Sequence, residues 1–326
     1  MKNNYLEDKN ILYIDTNLFG YYEDIIKVMR NAGANVDFIS SSFLPYKETL
    51  AVKLGMAEGP KENYYRKVLK KFNFNSFYDY IWIKPAESIP HFFLTSLKNK
   101  FPKAIFISYH WHPIKNKNIS FLRNYFDKIF CFDQATCAQY DFINYLPLFY
   151  TDEFVDIRNK RNESFKKFDL VFVGNALIKE RNIFLKKIEE QCKNLDLNCK
   201  FYLFASHKIF LKMLLKGKIV QNNTFKKLNR KEIADLFLHS NCIVDYANPD
   251  QTGLTMRTFE ALGSGAKLIT TNQSIMNEPI YDNQYINVID KNNPIIDTEF
   301  IKKQDYSIPD LIKNYSIHEW TKTFFI

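Results

Sequence analysis

The chain runs twice through the same alternation of short apolar strands and longer amphipathic helices, with a polar, charged stretch between the two passes. Few arrangements satisfy such a pattern. Strands that are followed each time by a helix pair in parallel, and the helices cover both faces of the sheet. In the first pass, residues 10–14 (Asn-Ile-Leu-Tyr-Ile) form an apolar run that stops at Asp15. Ile25, Ile26, Val28 and Met29 then recur at helical spacing over 21–31, and Ala32-Gly33 closes that helix. Further strands are predicted at 36–40, 80–84, 104–109, 128–132 and 145–149.

The second pass opens with a strand at 168–173, Gly174 and a charged helix from about 179 to 192. It continues with a strand at 200–205, a helix, a strand at 218–220 and a helix over 229–239 carrying Ile233, Leu236 and Phe237 on one face. A strand at 242–245, a helix at 255–262 and strands at 267–271 and 285–289 complete it. Ser316 with Glu319 has the spacing of a capping box for a closing helix. The fold class that follows is α/β, with two Rossmann-like doubly wound domains. A length of 326 residues agrees with two domains of roughly 150 each. The predicted division is 1–155 and 168–297, joined by a linker at 151–167. Residues 298–326 form a C-terminal segment for which a return to the first domain is one option.

Apolar residues make up 46% and charged residues 25%, the balance of a folded chain. The net charge of +9 invites a nucleic-acid reading. The basic clusters at 66–71, 115–117 and 226–231 are spread out, however, with no RNA-binding signature and no zinc spacing. They read first as solvated helix faces, and next as attraction to a phosphorylated substrate or to anionic lipid. Cys131, Cys137, Cys192, Cys199 and Cys242 are odd in number and include no Cys-x-x-Cys, so reduced thiols and a cytoplasmic location are expected. The polar first ten residues predict no secretory signal. No apolar run approaches the ~20 residues of a bilayer span, so membrane contact is expected to be peripheral, at the inner face.

Chemistry concentrates in residues 248–265 (Asn-Pro-Asp-Gln-Thr-Gly-Leu-Thr-Met-Arg-Thr-Phe-Glu-Ala-Leu-Gly-Ser-Gly). This is a loop leaving a strand, then a helix, then a sharp stop. Gln251, Thr252, Gly253 and Leu254 form the loop; Gly253 lets backbone approach a ligand closely. Thr255 is a good N-cap, so the amides and dipole of the following helix make an anion site suited to a diphosphate. Arg257 adds a guanidinium in the first turn, and Glu260 shares its face three residues on. A carboxylate there can accept from both ribose hydroxyls. The plainer reading is a surface ion pair between Arg257 and Glu260 on an ordinary strand–loop–helix.

The second half resembles the donor-binding domain of GT-B fold glycosyltransferases of the bacterial surface-polysaccharide and lipopolysaccharide type, the group 1-like C-terminal domain. Residues 169–175 (Asp-Leu-Val-Phe-Val-Gly-Asn), with Lys179 and Arg181 after them, match the family's strand–glycine loop; 228–237 match the helix before the donor loop; 252–263, followed by 267–271, carry the most specific similarity. The resemblance covers about 168–290 well and the first half loosely. It implies a cleft between two facing domains, with Glu260 on the nucleotide ribose. Phosphate would be held by Gly174, Asn175, Lys179, Arg181, the 251–255 loop and Arg257. It further implies transfer from a nucleotide-activated sugar to a glycan or lipid-linked glycan, with no cofactor and no nucleic-acid partner. Relatives often carry a second glutamate eight residues before Glu260; here that position is Thr252, with Gln251 or Asp250 as substitutes. No Asp-x-Asp occurs, so metal-independent chemistry is expected, with cations and helix amides stabilising the leaving phosphate.

The first half is left to bind the acceptor. The loop from Asp15 to Tyr21 leaves the first strand, and residues 108–113 (Ser-Tyr-His-Trp-His-Pro) put His110 and His112 at a strand end, with Trp111 able to stack on a sugar. Strand alternation would aim both histidines to one side, where an imidazole suits a general base. Asp15 and Glu87 are rival bases. A nucleotide-sugar epimerase on the same fold, or a non-catalytic module binding nucleic acid or another anionic polymer, are the alternatives.

Overall fold

The structure is a computed structural model that describes residues 4–16, 20–42, 58–112, 119–215, 223–248, 251–303 and 309–326. The chain divides into two compact units. The first comprises residues 1–147 and 317–326, and the second Leu148–Ser316.

Unit 1 holds six parallel strands: β1 (Asn10–Asp15), β2 (Asn35–Ser40), β3 (Tyr80–Ile83), β4 (Ile105–His110), β5 (Lys128–Cys131) and β6 (Asn144–Tyr145), in the order β2-β1-β3-β4-β5-β6. The turn of direction lies between β1 and β3. The predicted helix at 21–31 forms, burying the four residues whose spacing announced it. Gly33 follows at φ +102, a conformation that favours glycine. A Cβ there would also meet the backbone of Glu7 at 2.8 Å. The last residues of the chain finish this core. Trp320, Phe324 and Phe325 are buried, the Phe324 ring lies 4.4 Å from Trp82 between centroids, and the indole of Trp320 donates to the Pro147 carbonyl at 2.9 Å.

Unit 2 also holds six parallel strands: β7 (Phe168–Asn175), β8 (Cys199–Phe204), β9 (Asn223–Thr224), β10 (Ser240–Asp245), β11 (Lys267–Thr270) and β12 (Ile286–Val288), in the order β12-β11-β10-β7-β8-β9. The chain fills the sheet outward from β7 through β8 and β9, then returns to β10 on the other side. The crevice at such a reversal is where doubly wound sheets bind ligands. A core of Leu170, Phe184, Leu185, Ile188, Val244 and Ile269, among others, lies around this centre.

Two expectations change. Residues 151–167 are no loose linker: a helix, Asp152–Lys160, starts after Thr151, buries Phe154, and is followed by the fully buried Arg161. The 145–149 strand reduces to Asn144–Tyr145, at the sheet edge. The predicted strand at 218–220 and the basic cluster at 115–117 lie outside the described residues. All five cysteines are free thiols.

Candidate functional site

The loop and helix singled out in the sequence leave the carboxyl end of β10, at the reversal point of the unit 2 sheet. Thr255 is the N-cap of the helix Met256–Gly263 and accepts from the Thr258 amide at 3.3 Å. That accounts for one of the four amides left over at any helix start. The Thr255 hydroxyl in turn donates to Asp245 Oδ1 at 3.1 Å. The other oxygen of Asp245 receives the hydroxyls of Thr258 at 3.2 Å and Thr270 at 3.3 Å. One buried carboxylate thus ties the ends of β10 and β11 to the helix start. The loop is pinned from the same side, since Asn272 Nδ2 donates to the carbonyls of Thr252 (3.2 Å) and Gly253 (3.3 Å), and Gln251 also reaches the Gly253 carbonyl (3.3 Å). Leu254 is buried. Asp250 lies outside the described residues.

Arg257 and Glu260 meet at 2.7 Å. The pair is not a surface one: Glu260 is 3% exposed, and the Arg257 side chain keeps 18% of its surface. One nearly buried and one partly buried charge in the first turns of the helix are thus held against each other.

From the neighbouring β7, Gly174 and Asn175 lead into the helix Lys179–Asn194. Arg181 folds back from it, donating to the Asn175 carbonyl and, at 2.7 Å, to Asn175 Oδ1. Its guanidinium lies 5.5 Å above the Phe172 ring, and a Cβ on Gly174 would strike that ring at 2.7 Å. Gly174 is therefore required for Arg181 and Phe172 to pack as they do. Burial lowers the Arg181 pKa, against the opposing pull of nearby Asp245 and Tyr246. Lys179 and Asn175 are exposed. Sequence reasoning missed Asp245, Thr258, Thr270 and Asn272, and the one signal for Asp245 was a carboxylate ending an apolar strand.

Burial raises the Asp245 pKa, outweighing its three hydroxyl donors and the charge of Arg257. The folded chain therefore binds this proton more tightly than the unfolded one. The stability contributed is full below the unfolded value near 3.8 and is lost as pH rises through the folded value. Urea midpoints measured from about pH 4 to pH 7 should show wild type losing ground to Asp245→Asn as pH rises.

In unit 1, the proposed catalytic residues also gather at carboxyl strand ends. Asp15 closes β1 and pairs with Lys84, just past β3, at 2.8 Å; both are buried. Tyr13 donates to Asp15 at 2.5 Å, and the ammonium of Lys84 lies 4.4 Å from the Trp111 ring. His110 Nδ1 lies 2.8 Å from Glu87, and its Nε2 lies 3.1 Å from the Ser108 hydroxyl. The two histidines do not share a side. The strand ends at His110, which is fully buried, and His112 beyond it is exposed. Asp15 is engaged by Lys84 and Tyr13. Among the described residues, no three His, Cys, Asp or Glu side chains cluster as a metal site.

No protein-family model matches the sequence, and no curated protein matches it. Solved structures do. A glycosyltransferase from Rickettsia africae superposes with a TM-score of 0.61 at 14% identity, over 97% of this chain and 96% of that one. The fold is that of the GT-B glycosyltransferases. An α-glucosyltransferase solved with UDP and a 13-mer DNA gives a TM-score of 0.59 at 14% identity, over 97% and 95% of the two chains. Sucrose-phosphate synthase from Thermosynechococcus elongatus gives 0.55 at 11% identity, over 97% and 95%. At these identities the likeness establishes the fold alone. Among the described residues, no helix is long and apolar enough to cross a membrane.

Proposed function

We propose that the chain is a glycosyltransferase that moves a sugar from a nucleotide-activated donor to a glycan or lipid-linked glycan in surface-polysaccharide synthesis. The observation that carries this reading is the Arg257–Glu260 pair, shielded from water at the start of a capped helix on the reversal point of the unit 2 sheet. In the proposed complex Glu260 accepts from the ribose hydroxyls. The first-turn amides and Arg257 hold phosphate, with Lys179 added from the neighbouring helix. Arg181 acts from behind, fixing the carbonyl and side chain of Asn175. A negative charge that grows on the leaving phosphate is then met by fixed cations and dipoles, chemistry that needs no metal. UDP in the α-glucosyltransferase structure supports a nucleotide ligand for this fold.

The acceptor is assigned to unit 1. Asp15 serves there as a structural partner of Lys84. Glu87 keeps part of its side chain at the surface beside His110, and we assign it the proton of the attacking hydroxyl, with His110 as its buried partner. The test supplies nucleotide-sugars one at a time, with and without glycan acceptors, and follows nucleotide release. Release that depends on an acceptor is expected. Conversion of the donor alone to an epimer would replace this reading by epimerisation. No turnover and no nucleotide binding would overturn both.

A further inference from the structure

Cysteine spacing in the sequence shows no Cys-x-x-Cys, yet the fold of unit 1 brings two thiols together at one strand end. Cys131 closes β5, and Cys137 closes the four-residue helix Gln134–Cys137 that follows it. The turn between them is tightly held. Asp133 caps the helix, accepting from the Thr136 amide and hydroxyl, each at 2.9 Å, and the Cys137 amide donates to the Asp133 carbonyl at 3.1 Å. Cys137 is thereby folded back over the strand end, where its thiol donates to the Cys131 carbonyl at 3.6 Å. The Cys131 sulfur accepts from the Asp133 amide at 3.4 Å, and its thiol donates to the Cys137 sulfur.

The two thiols are not equivalent. Cys131 is fully buried. Cys137 is half-buried and stands among exposed Ala135, Ala138 and Gln139, within reach of a small solute. The hydrogen bond from Cys131 favours the Cys137 thiolate and lowers its pKa, against burial and the charge of Asp133. Giving that bond, together with burial, pushes the Cys131 thiol up. Cys137 is the nucleophile of the pair, and Cys131 is the thiol held beside it. In unit 2, Cys192 and Cys199 share a similar bond, but Cys192 belongs to the core and Cys199 packs against it.

We propose that Cys131 and Cys137 are a site of reversible oxidation, closed to an intramolecular disulfide by hydrogen peroxide or another small peroxide. The Cys137 thiolate attacks one peroxide oxygen and the O–O bond breaks. The departing hydroxide takes the proton that Cys137 released, leaving a sulfenic acid and water. The Cys131 sulfur then attacks the sulfenic sulfur, whose S–O bond breaks, and the oxygen leaves as water with the Cys131 proton. Two electrons pass from the pair of sulfurs to the peroxide. The site adjoins His110, which is the register partner of Cys131 and whose carbonyl accepts from the Phe132 amide at 3.2 Å. The proposal does not depend on the chemistry assigned to the chain.

The experiment treats the reduced full chain with hydrogen peroxide, blocks the remaining thiols with N-ethylmaleimide and maps every cysteine by non-reducing peptide mass spectrometry. A Cys131–Cys137 disulfide within one chain is expected, reopened by dithiothreitol. Both thiols should be consumed at least roughly tenfold faster than that of Cys242, which burial pushes up to about 12. In Cys131→Ala, Cys137 has no partner thiol and should pass on to a sulfinic acid that dithiothreitol does not reverse. In Cys137→Ser, Cys131 should react at least roughly tenfold more slowly than in the wild type. Both thiols still free in the wild type once Cys242 is modified would overturn the proposal. So would wild-type Cys137 carried to sulfinic acid beside a free Cys131, a disulfide that joins only separate chains, or Cys131 consumed at the wild-type rate in Cys137→Ser.

Discussion

In the Glu260→Ala variant, kcat/KM for the nucleotide-sugar is expected to fall by on the order of a thousandfold, with most of the loss in donor KM. A carboxylate accepting two hydroxyl hydrogen bonds loses about 1.5–3 kcal/mol for each when it is deleted. The fold should survive. Arg257, its partner at 2.7 Å, keeps part of its surface and can turn its freed guanidinium toward water. The stability cost is then about 1–3 kcal/mol, the range for a half-buried polar group left without its partner. Glu260→Gln separates shape from charge. It fills the same space but cannot pair with a guanidinium as an anion, so it should bind donor weakly while unfolding near the wild-type temperature. Steady-state kinetics with circular dichroism on each variant makes the distinction. Normal turnover in Glu260→Ala would remove the residue from the site.

Arg161→Ala is expected to cost unit 2 about 3–5 kcal/mol, toward the low end for three buried carbonyls that each lose a donor at about 1–3 kcal/mol. The Arg161 side chain is 1% exposed and donates to the Phe237 carbonyl at 2.7 Å, to the Asn241 carbonyl at 3.3 Å and to Ser240 O between them. These carbonyls end the helix Arg230–Leu238 and begin β10. Alanine would strand all three and leave a cavity. Since a domain holds about 5–15 kcal/mol in total, the variant should unfold at far lower urea or accumulate as insoluble protein. Arg161→Lys should fall between, because an ammonium cannot reproduce a planar fork with several donors. A midpoint unchanged by Arg161→Ala would mean that the carbonyls find other donors.

The same arginine shows where sequence reading loses its grip. Residues 151–167 look solvated because their charges are dense and their apolar residues few. One buried Phe and one buried Arg suffice to anchor the segment, since both find partners far along the chain, on the helix and strand around Phe237 and Ser240. Local periodicity carries no sign of such contacts. The strands of both sheets were legible because a doubly wound sheet buries them on both faces, leaving continuous apolar runs. β9 was not, since two residues at a sheet edge, Asn223 and Thr224, need no apolar character.

In the site, the Arg257–Glu260 contact and the Thr255 cap were written in helical spacing and cap chemistry. Asp245 was not, because its meaning comes from three threonines brought together by the loop, the helix and β11. The histidines misled for a related reason. Alternation predicts a shared side only while a strand continues, and β4 stops at His110.

The measurement that bears most directly on this account is calorimetric titration of UDP, GDP, CMP and dTDP into the wild-type chain and into Glu260→Gln. At least one nucleotide should bind the wild type, and the same nucleotide should bind Glu260→Gln at least roughly tenfold more weakly, as loss of a charged hydrogen bond requires. Equal affinity in the two proteins, or no binding of any of the four, would contradict a nucleotide site at the reversal point of the unit 2 sheet.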